Sequence, residues 1–238
     1  MRSFNDADWE DIERLRQQVD ELRAATSLEA AAQGFVGIFV DNFESVVLAR
    51  TFVVVPLADL PAEEQRAARS AGSELSPSTP VLSLLATRGK DPSWNDRKAS
   101  LGHRAIPLLS SATVADAPMV AKLLSDLDID LKPLDDGRPI ATRQMLGGKN
   151  GTFYVEDAAV ARDARGRYII SSRDFATMHG VHTVFGMGGA YLDGMLVVAI
   201  LFCSEVLSRL TVDRFPTFIG SFKIATTSLA AQKRLFQG

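Results

Sequence analysis

The sequence is poor in the features that announce a specialised chemistry. Its one cysteine in 238 residues excludes an intrachain disulfide, and the apolar run MLVVAILFC around Cys203 is the setting of a buried thiol in a reducing compartment. Positive charge is not in surplus either. With 26 Lys and Arg against 29 Asp and Glu the net charge is -3, so nothing is left over to neutralise a phosphate backbone and nucleic acid is not an expected partner. Met195 to Cys203 is the longest apolar run and falls far short of the roughly 20 residues a membrane helix needs. The start, MRSFNDADWEDIE, is acidic and lacks the apolar core of a signal peptide. These absences together predict a cytoplasmic chain with no membrane attachment.

Catalytic signatures are missing as well. There is no G-x-S-x-G, no H-E-x-x-H and no C-x-x-C. The glycine-rich stretch GMGGAY has Tyr191 at the place of the third glycine of a dinucleotide fingerprint, and a turn and strand follow it where a helix is needed. GGKNG has Arg143 where a P-loop requires its first glycine and Asn150 where it requires Ser or Thr. His179 and His182 stand three apart in HGVHTVFGMGG. Gly180 between them and the β-branched run behind them predict that His179 ends a helix and His182 enters a strand, so that no metal is shared. The pairs Asp126–Asp128 and Asp135–Asp136 fall in polar contexts where solvated charge is the ordinary explanation. No enzymatic activity is expected. Haem or metal binding through His103, His179 or His182 is kept as an alternative, and no cofactor is assigned.

What the chain does carry is periodicity. Between residues 6 and 25, Ile12, Leu15, Val19 and Leu22 recur at spacings of three and four among charged residues, a narrow stripe on a helix capped by Asp6 or Asp8. Two heptads cannot hold a coiled coil unaided, so the stripe must dock on the body or pair with a second chain. Leu28, Ala32, Phe35, Val36, Phe39, Val40 and Phe43 mark a second helix with a wider core-facing side. Strands are predicted at 46–57, 81–89 and 104–111, in TFYVEDA, in RYII after the DARG turn, and at 181–187 and 195–203, where Asp193-Gly194 forms a hairpin. A charged helix running into an exposed loop fits 59–80, a crossover helix 116–131, and a short helix SSRDFATMHG. KPLDDGRPIATRQMLGGKNG reads as a linker or flap. A last helix starts near Thr211 and aligns Phe215, Ile219, Phe222 and Leu229 on one face. Elements in this order predict an α+β fold with helices packed on an antiparallel sheet.

The runs SWNDRKASLGHRAIPLLS, APMVAKLLSDLDIDL, GTFYVEDA and RDFATMHGVHTVFGMGGAYLDGMLVVAILF resemble, together with the terminal helix, the GAF-type sensory domains of bacterial signalling proteins. The resemblance extends over about residues 30 to 236. It implies a central antiparallel sheet of about six strands, the N- and C-terminal helices packed together on one face, and a ligand pocket on the other. It divides the chain into an N-terminal amphipathic helix, residues 1–27, and a GAF-like domain, residues 28–238. It further implies a small-molecule-responsive module that signals through terminal-helix packing or homodimerisation, with a partner such as a histidine kinase. Neither a cyclic-nucleotide signature nor a bilin-attaching cysteine is found, so no ligand class carries over. Kinase, cyclase and helix-turn-helix signatures are missing too, so the output is expected in a partner or elsewhere in a longer protein.

Within this scheme the loop KDPSWNDRKASLGH supplies three candidate ligand contacts, Trp94, Arg97 and His103. Tyr154 comes from a strand, and Asp174, His179 and His182 from the helix-to-strand junction, the sparse polar contacts of an otherwise apolar pocket. The alternative is a dimerisation module whose pocket is filled by its own Phe35, Phe39, Phe43, Phe185, Phe202, Phe215, Phe218 and Phe222.

Overall fold

The computed structural model describes residues 2–70, 75–100, 102–136, 141–142 and 150–237. The chain runs α1 (Trp9–Glu21), α2 (Leu28–Asn42), β1 (Val46–Pro56), α3 (Ala62–Arg69), β2 (Pro80–Gly89), β3 (Ala105–Pro107), α4 (Ser111–Ala115), α5 (Pro118–Asp126), β4 (Ile129–Asp130), α6 (Lys132–Asp135), β5 (Ala141–Thr142), β6 (Gly151–Val155), α7 (Arg173–Met178), β7 (Thr183–Ala190), β8 (Leu196–Cys203), α8 (Arg209–Val212) and α9 (Pro216–Ala231). Six of the strands form one antiparallel sheet in the order β3-β2-β1-β8-β7-β6. The β-branched and apolar runs of β1 and β8 put these two strands in the middle, where side chains are covered on both faces. This is the α+β architecture that the order of elements implies.

One face carries the helices from the two ends of the chain. Asp8 starts α1 through a reciprocal capping box with Asp11, Ser27 caps α2 by accepting from the Ala30 amide, and Pro216 stands in the first turn of α9. These helices bury Phe35, Phe39, Phe43, Phe215, Phe218 and Phe222 against Phe185 of the sheet. Phe4 enters the same core, stacked on Phe43 at 3.9 Å. The narrow stripe of α1 is buried in the body, with Ile12, Leu15 and Val19 set against α9 and α2. Docking on the body is therefore how that stripe is used in this chain. Among the described residues no helix is long and apolar enough to cross a membrane.

The opposite face is covered by shorter pieces. Val114, Val120, Leu123, Leu124 and Leu134 pack over Phe52, Leu82, Phe153, Val184, Val198 and Ile200. Of the eight phenylalanines named above as a possible filling, only Phe202 lies on this side, where it joins Phe52, Phe153 and the aliphatic residues; the other seven belong to the helical face. Two strand boundaries also need correcting. RYII is not a strand: Tyr168 makes one bridge to Arg162, and Ile169 and Ile170 are buried as irregular chain under the second core. The third strand shrinks from 104–111 to Ala105–Pro107 because Pro107 has no amide to donate and Ser110 already caps α4. Most of the proposed flap lies outside the described residues.

Docking of α1 makes a direct prediction. Leu15→Ala should cost the whole body about 2–5 kcal/mol in urea unfolding, as burial among packed helices requires. A stripe reserved for a second chain would leave the stability of the isolated chain unchanged.

Candidate functional site

The loop between β2 and β3 runs along an edge of the sheet that β3 leaves open. β3 pairs only with Val81 to Ser83, so among the described residues the rest of β2 has no strand partner on that side. Gln33 of α2 closes part of this edge by donating to the Thr87 carbonyl at 3.0 Å. The loop therefore reaches both faces of the sheet.

On the second face it delivers Trp94. Asp91 accepts from the Ser93 amide at 2.9 Å and starts a short turn, and the Asn95 side chain accepts from the Gly89 amide at 2.9 Å. The indole lies directly over Gly89, where an added Cβ would come within 2.7 Å of the ring. Trp94 meets Phe175 edge-on at 5.5 Å and His179 at 4.8 Å, and Phe175 meets Phe202 at 5.6 Å. Trp94 and His179, far apart in sequence, thus form one part-exposed aromatic group. Asp174 is exposed in the first turn of α7, next to Phe175 in the sequence. His182 is exposed, with its amide donating to Cys203 and its carbonyl accepting from Ala158. His103 is exposed at the far end of the loop.

Tyr154 and Arg97 stand elsewhere. Tyr154 packs against the helical-face core and its hydroxyl donates to the Leu207 carbonyl at 2.7 Å; burial, reinforced by Glu156, raises its pKa. Arg97 is only 5% exposed and is held between helices. Its Nε donates to Glu29 of α2 at 2.6 Å, its Nη1 binds Glu64 of α3, and its guanidinium lies 5.1 Å from the centre of the Phe236 ring. Arg104 adds contacts to Glu63 at 2.9 Å and Glu64 at 3.0 Å, and the Gln237 amide donates to Glu29 at 2.8 Å. Burial opposes the charge on Glu64, but the hydrogen bond from Arg104 and the charge and hydrogen bond of Arg97 outweigh it and lower its pKa. Burial likewise opposes the charge on Arg97, and its bonds to Glu29 and Glu64 raise its pKa.

One residue in this region was not picked out from the sequence. Arg50 is the only charged side chain in β1, and it lies on the second face with Leu48 and Phe52. Its Nη2 donates to the Ser100 hydroxyl at 2.8 Å, while its Nε is buried without a partner. The available signal was a lone arginine in VVLARTFVVVP, a strand otherwise fit for burial on both sides.

A separate cleft of about 530 Å³ opens at the other end of β1. Val54, Pro56, Leu108, Leu134, Met195 and Leu235 line it, and Lys233 pairs with Asp59 at its rim at 3.1 Å. None of the seven candidate residues borders this cleft. Among the described residues no three His, Cys, Asp or Glu are grouped to hold a metal ion.

Neither a protein-family model nor a curated protein matches the sequence. Among solved structures, similar ones are found at low identity. The GAF domain of the phosphoenolpyruvate-protein phosphotransferase from Acinetobacter is similar with 14% identity and a TM-score of 0.49, over 94% of this chain and 97% of that one. The free methionine-R-sulfoxide reductase of Neisseria meningitidis gives 10% identity and a TM-score of 0.49, over 93% and 91%. The chromophore-binding domain of a bacteriophytochrome from R. palustris gives 10% and 0.48, this chain covering 64% of its length and itself being covered to 96%. Likeness at this level carries no ligand or activity across.

The Arg97 cluster yields a stability test. Arg97→Ala should cost about 3 kcal/mol at neutral pH, the lower end for breaking a buried pair, because Arg104 still reaches Glu64. The lowered pKa of Glu64 gives stability that is fully present above the ordinary glutamate value of about 4.3 and lost as pH falls through the folded value. Urea unfolding of wild type and variant from neutral to acid pH should show their difference shrinking in acid.

Proposed function

We propose that the chain is a non-enzymatic, ligand-responsive sensory module whose small-molecule ligand lies between the second sheet face and the β2–β3 loop. The observation that carries this reading is the span of that loop. Its Trp94 and Ser100 face the second side of the sheet, while its Arg97 is buried against α2, α3 and the C-terminal tail. A ligand held against Trp94 and His179 would shift the loop and, through Arg97, the start of α2. That start is joined to the tail by amide donations from Leu28 to Arg234 and from Glu29 to Leu235, each at 2.8 Å. A change there alters how the terminal helices pack, and a second copy or a signalling partner such as a histidine kinase would read it. Cys203 supports the non-enzymatic part of the reading, since burial raises its thiol pKa well above the ordinary value and keeps it from acting as a nucleophile.

A second reading is favoured by the cleft at the other end of β1, whose volume falls within the roughly 300–1,000 Å³ of small-molecule sites. Its lining includes Ala230, Lys233 and Leu235, so an occupant there would act on the end of α9 directly.

Native against denaturing mass spectrometry of the protein purified from cells tests both. The first reading expects a retained small molecule that is lost on denaturation, lost in Trp94→Ala and kept in Met195→Trp, which fills the cleft. The reverse pattern moves the ligand to the cleft. An empty protein whose amide exchange in α2 responds to no cell extract would overturn the sensory reading.

A further inference from the structure

We propose that Arg50 anchors a binding site for a small aromatic anion, a carboxylate or phosphate monoester carried on a ring, beneath the β2–β3 loop. The inference rests on the reading of the second face as the ligand face and names the class of ligand. Its basis is an imbalance of charge in the central strand. Arg50 lies in register with Thr87 of β2 and Ile200 of β8, and directly opposed residues of antiparallel strands share a face. Its neighbours there include the apolar Leu48, Phe52 and Ile200 beside the hydroxyls of Thr87 and Ser100.

A guanidinium has five donors and stays protonated. Among the described residues this one makes a single hydrogen bond, to the neutral hydroxyl of Ser100, and meets no carboxylate. Partial burial lowers its pKa from the ordinary arginine value. Arg97 and Arg104, at the same edge of the sheet, are both matched by glutamates. Opposite Arg50, the hydroxyl of Thr87 is also buried and without a partner. A water molecule would satisfy these hydrogen bonds but leave the charge uncompensated. A two-oxygen anion satisfies both, taking paired donors from the guanidinium and a further one from Thr87.

The ring follows from what stands next along the strands. Two residues on, about 7 Å away, the row Leu48, Gly89 and Phe202 carries Trp94 over Gly89 and Phe175 against Phe202, with His179 beside both. An anion on Arg50 leaves its attached ring alongside this aromatic wall. The loop comes close enough to enclose it: a Cβ on Gly102 would lie 2.8 Å from Nη1 of Arg50.

The test uses the full chain with Trp9→Phe, which leaves Trp94 as the single tryptophan, and four probes: benzoate, its neutral counterpart benzamide, phenyl phosphate and inorganic phosphate. Binding is read as a change in Trp94 fluorescence and a rise in melting temperature. Benzoate or phenyl phosphate should bind and benzamide should not, and Arg50→Met should weaken binding at least about tenfold, about 1.4 kcal/mol. Benzoate alone marks a carboxylate ligand, phenyl phosphate alone a phosphate monoester. Without probe, Arg50→Met should melt at or above the wild-type temperature, since it removes a part-buried charge that no carboxylate answers. Benzamide binding as well as benzoate, with Arg50→Met unchanged, overturns the anion and leaves the ligand face standing. A lower melting temperature for unliganded Arg50→Met makes the guanidinium structural and overturns the proposal. Silence toward all four probes, or toward all but inorganic phosphate, overturns it too; the ligand-face reading is then judged separately by whether Trp94→Ala loses a ligand retained from cells.

Discussion

A strand covered on both faces accepts a charge only where something answers it. β1 and β8 form the middle of the sheet, and every residue of β8 is buried. Their backbone groups are consumed by the ladders to β2 and β7, so only side chains are left to choose, and apolar ones are the favourable choice. The rest of the molecule is arranged to cover this pair, with α1, α2 and α9 on one face and α4 to α7 on the other. Arg50 is the one charged residue in these two strands.

The comparison with Arg97 gives the imbalance its weight. Both guanidinia are contacted by or carried on the β2–β3 loop; Arg97 is buried and Arg50 is part-buried. Arg97 meets two carboxylates and an aromatic ring, so its desolvation is matched by charge. Arg50 meets one serine hydroxyl. Burying a charge costs far more than burying a dipole, and a neutral hydrogen bond returns only a fraction of that cost. Such a placement adds little stability, and it is this imbalance on which the proposed binding role rests.

Most of the fold was legible because it depends on long runs. VVLARTFVVVP and MLVVAILFC could be little other than buried strands, and Asp193-Gly194 makes the turn before β8, with Gly194 at a φ of 86°. RYII misled because two adjacent buried isoleucines satisfy a core whether or not their backbone pairs with a neighbour. The stripe of α1 gave its own periodicity but not what it would meet, since docking and pairing need the same pattern. The candidate site was less legible. Composition singled out the β2–β3 loop, yet a loop on a sheet edge can send side chains to either face, and nothing local says that Trp94 goes one way and Arg97 the other. Tyr154 illustrates the same limit within a strand, where a shift of one residue exchanges the faces.

The edge position also explains how two faces separated by a packed sheet could communicate. Close-packed strands pass on little displacement through their own thickness, so a coupling between faces is better carried around the side. In the proposed sensory reading the open edge of β2 would supply that route. Gln33 holds the Thr87 backbone and Glu29 holds Arg97, and these two residues stand four apart on α2, hence on the same side of that helix. Thr87 lies opposite Arg50, and Arg97 lies on the loop that also carries Ser100 and Trp94. A group bound at Arg50 therefore adjoins two neighbouring points of α2 through separate contacts, one of strand backbone and one of charge. The response it can evoke in the terminal helices is bounded by its difference in affinity for the two loop positions, so a ligand that binds both equally would occupy the site and signal nothing.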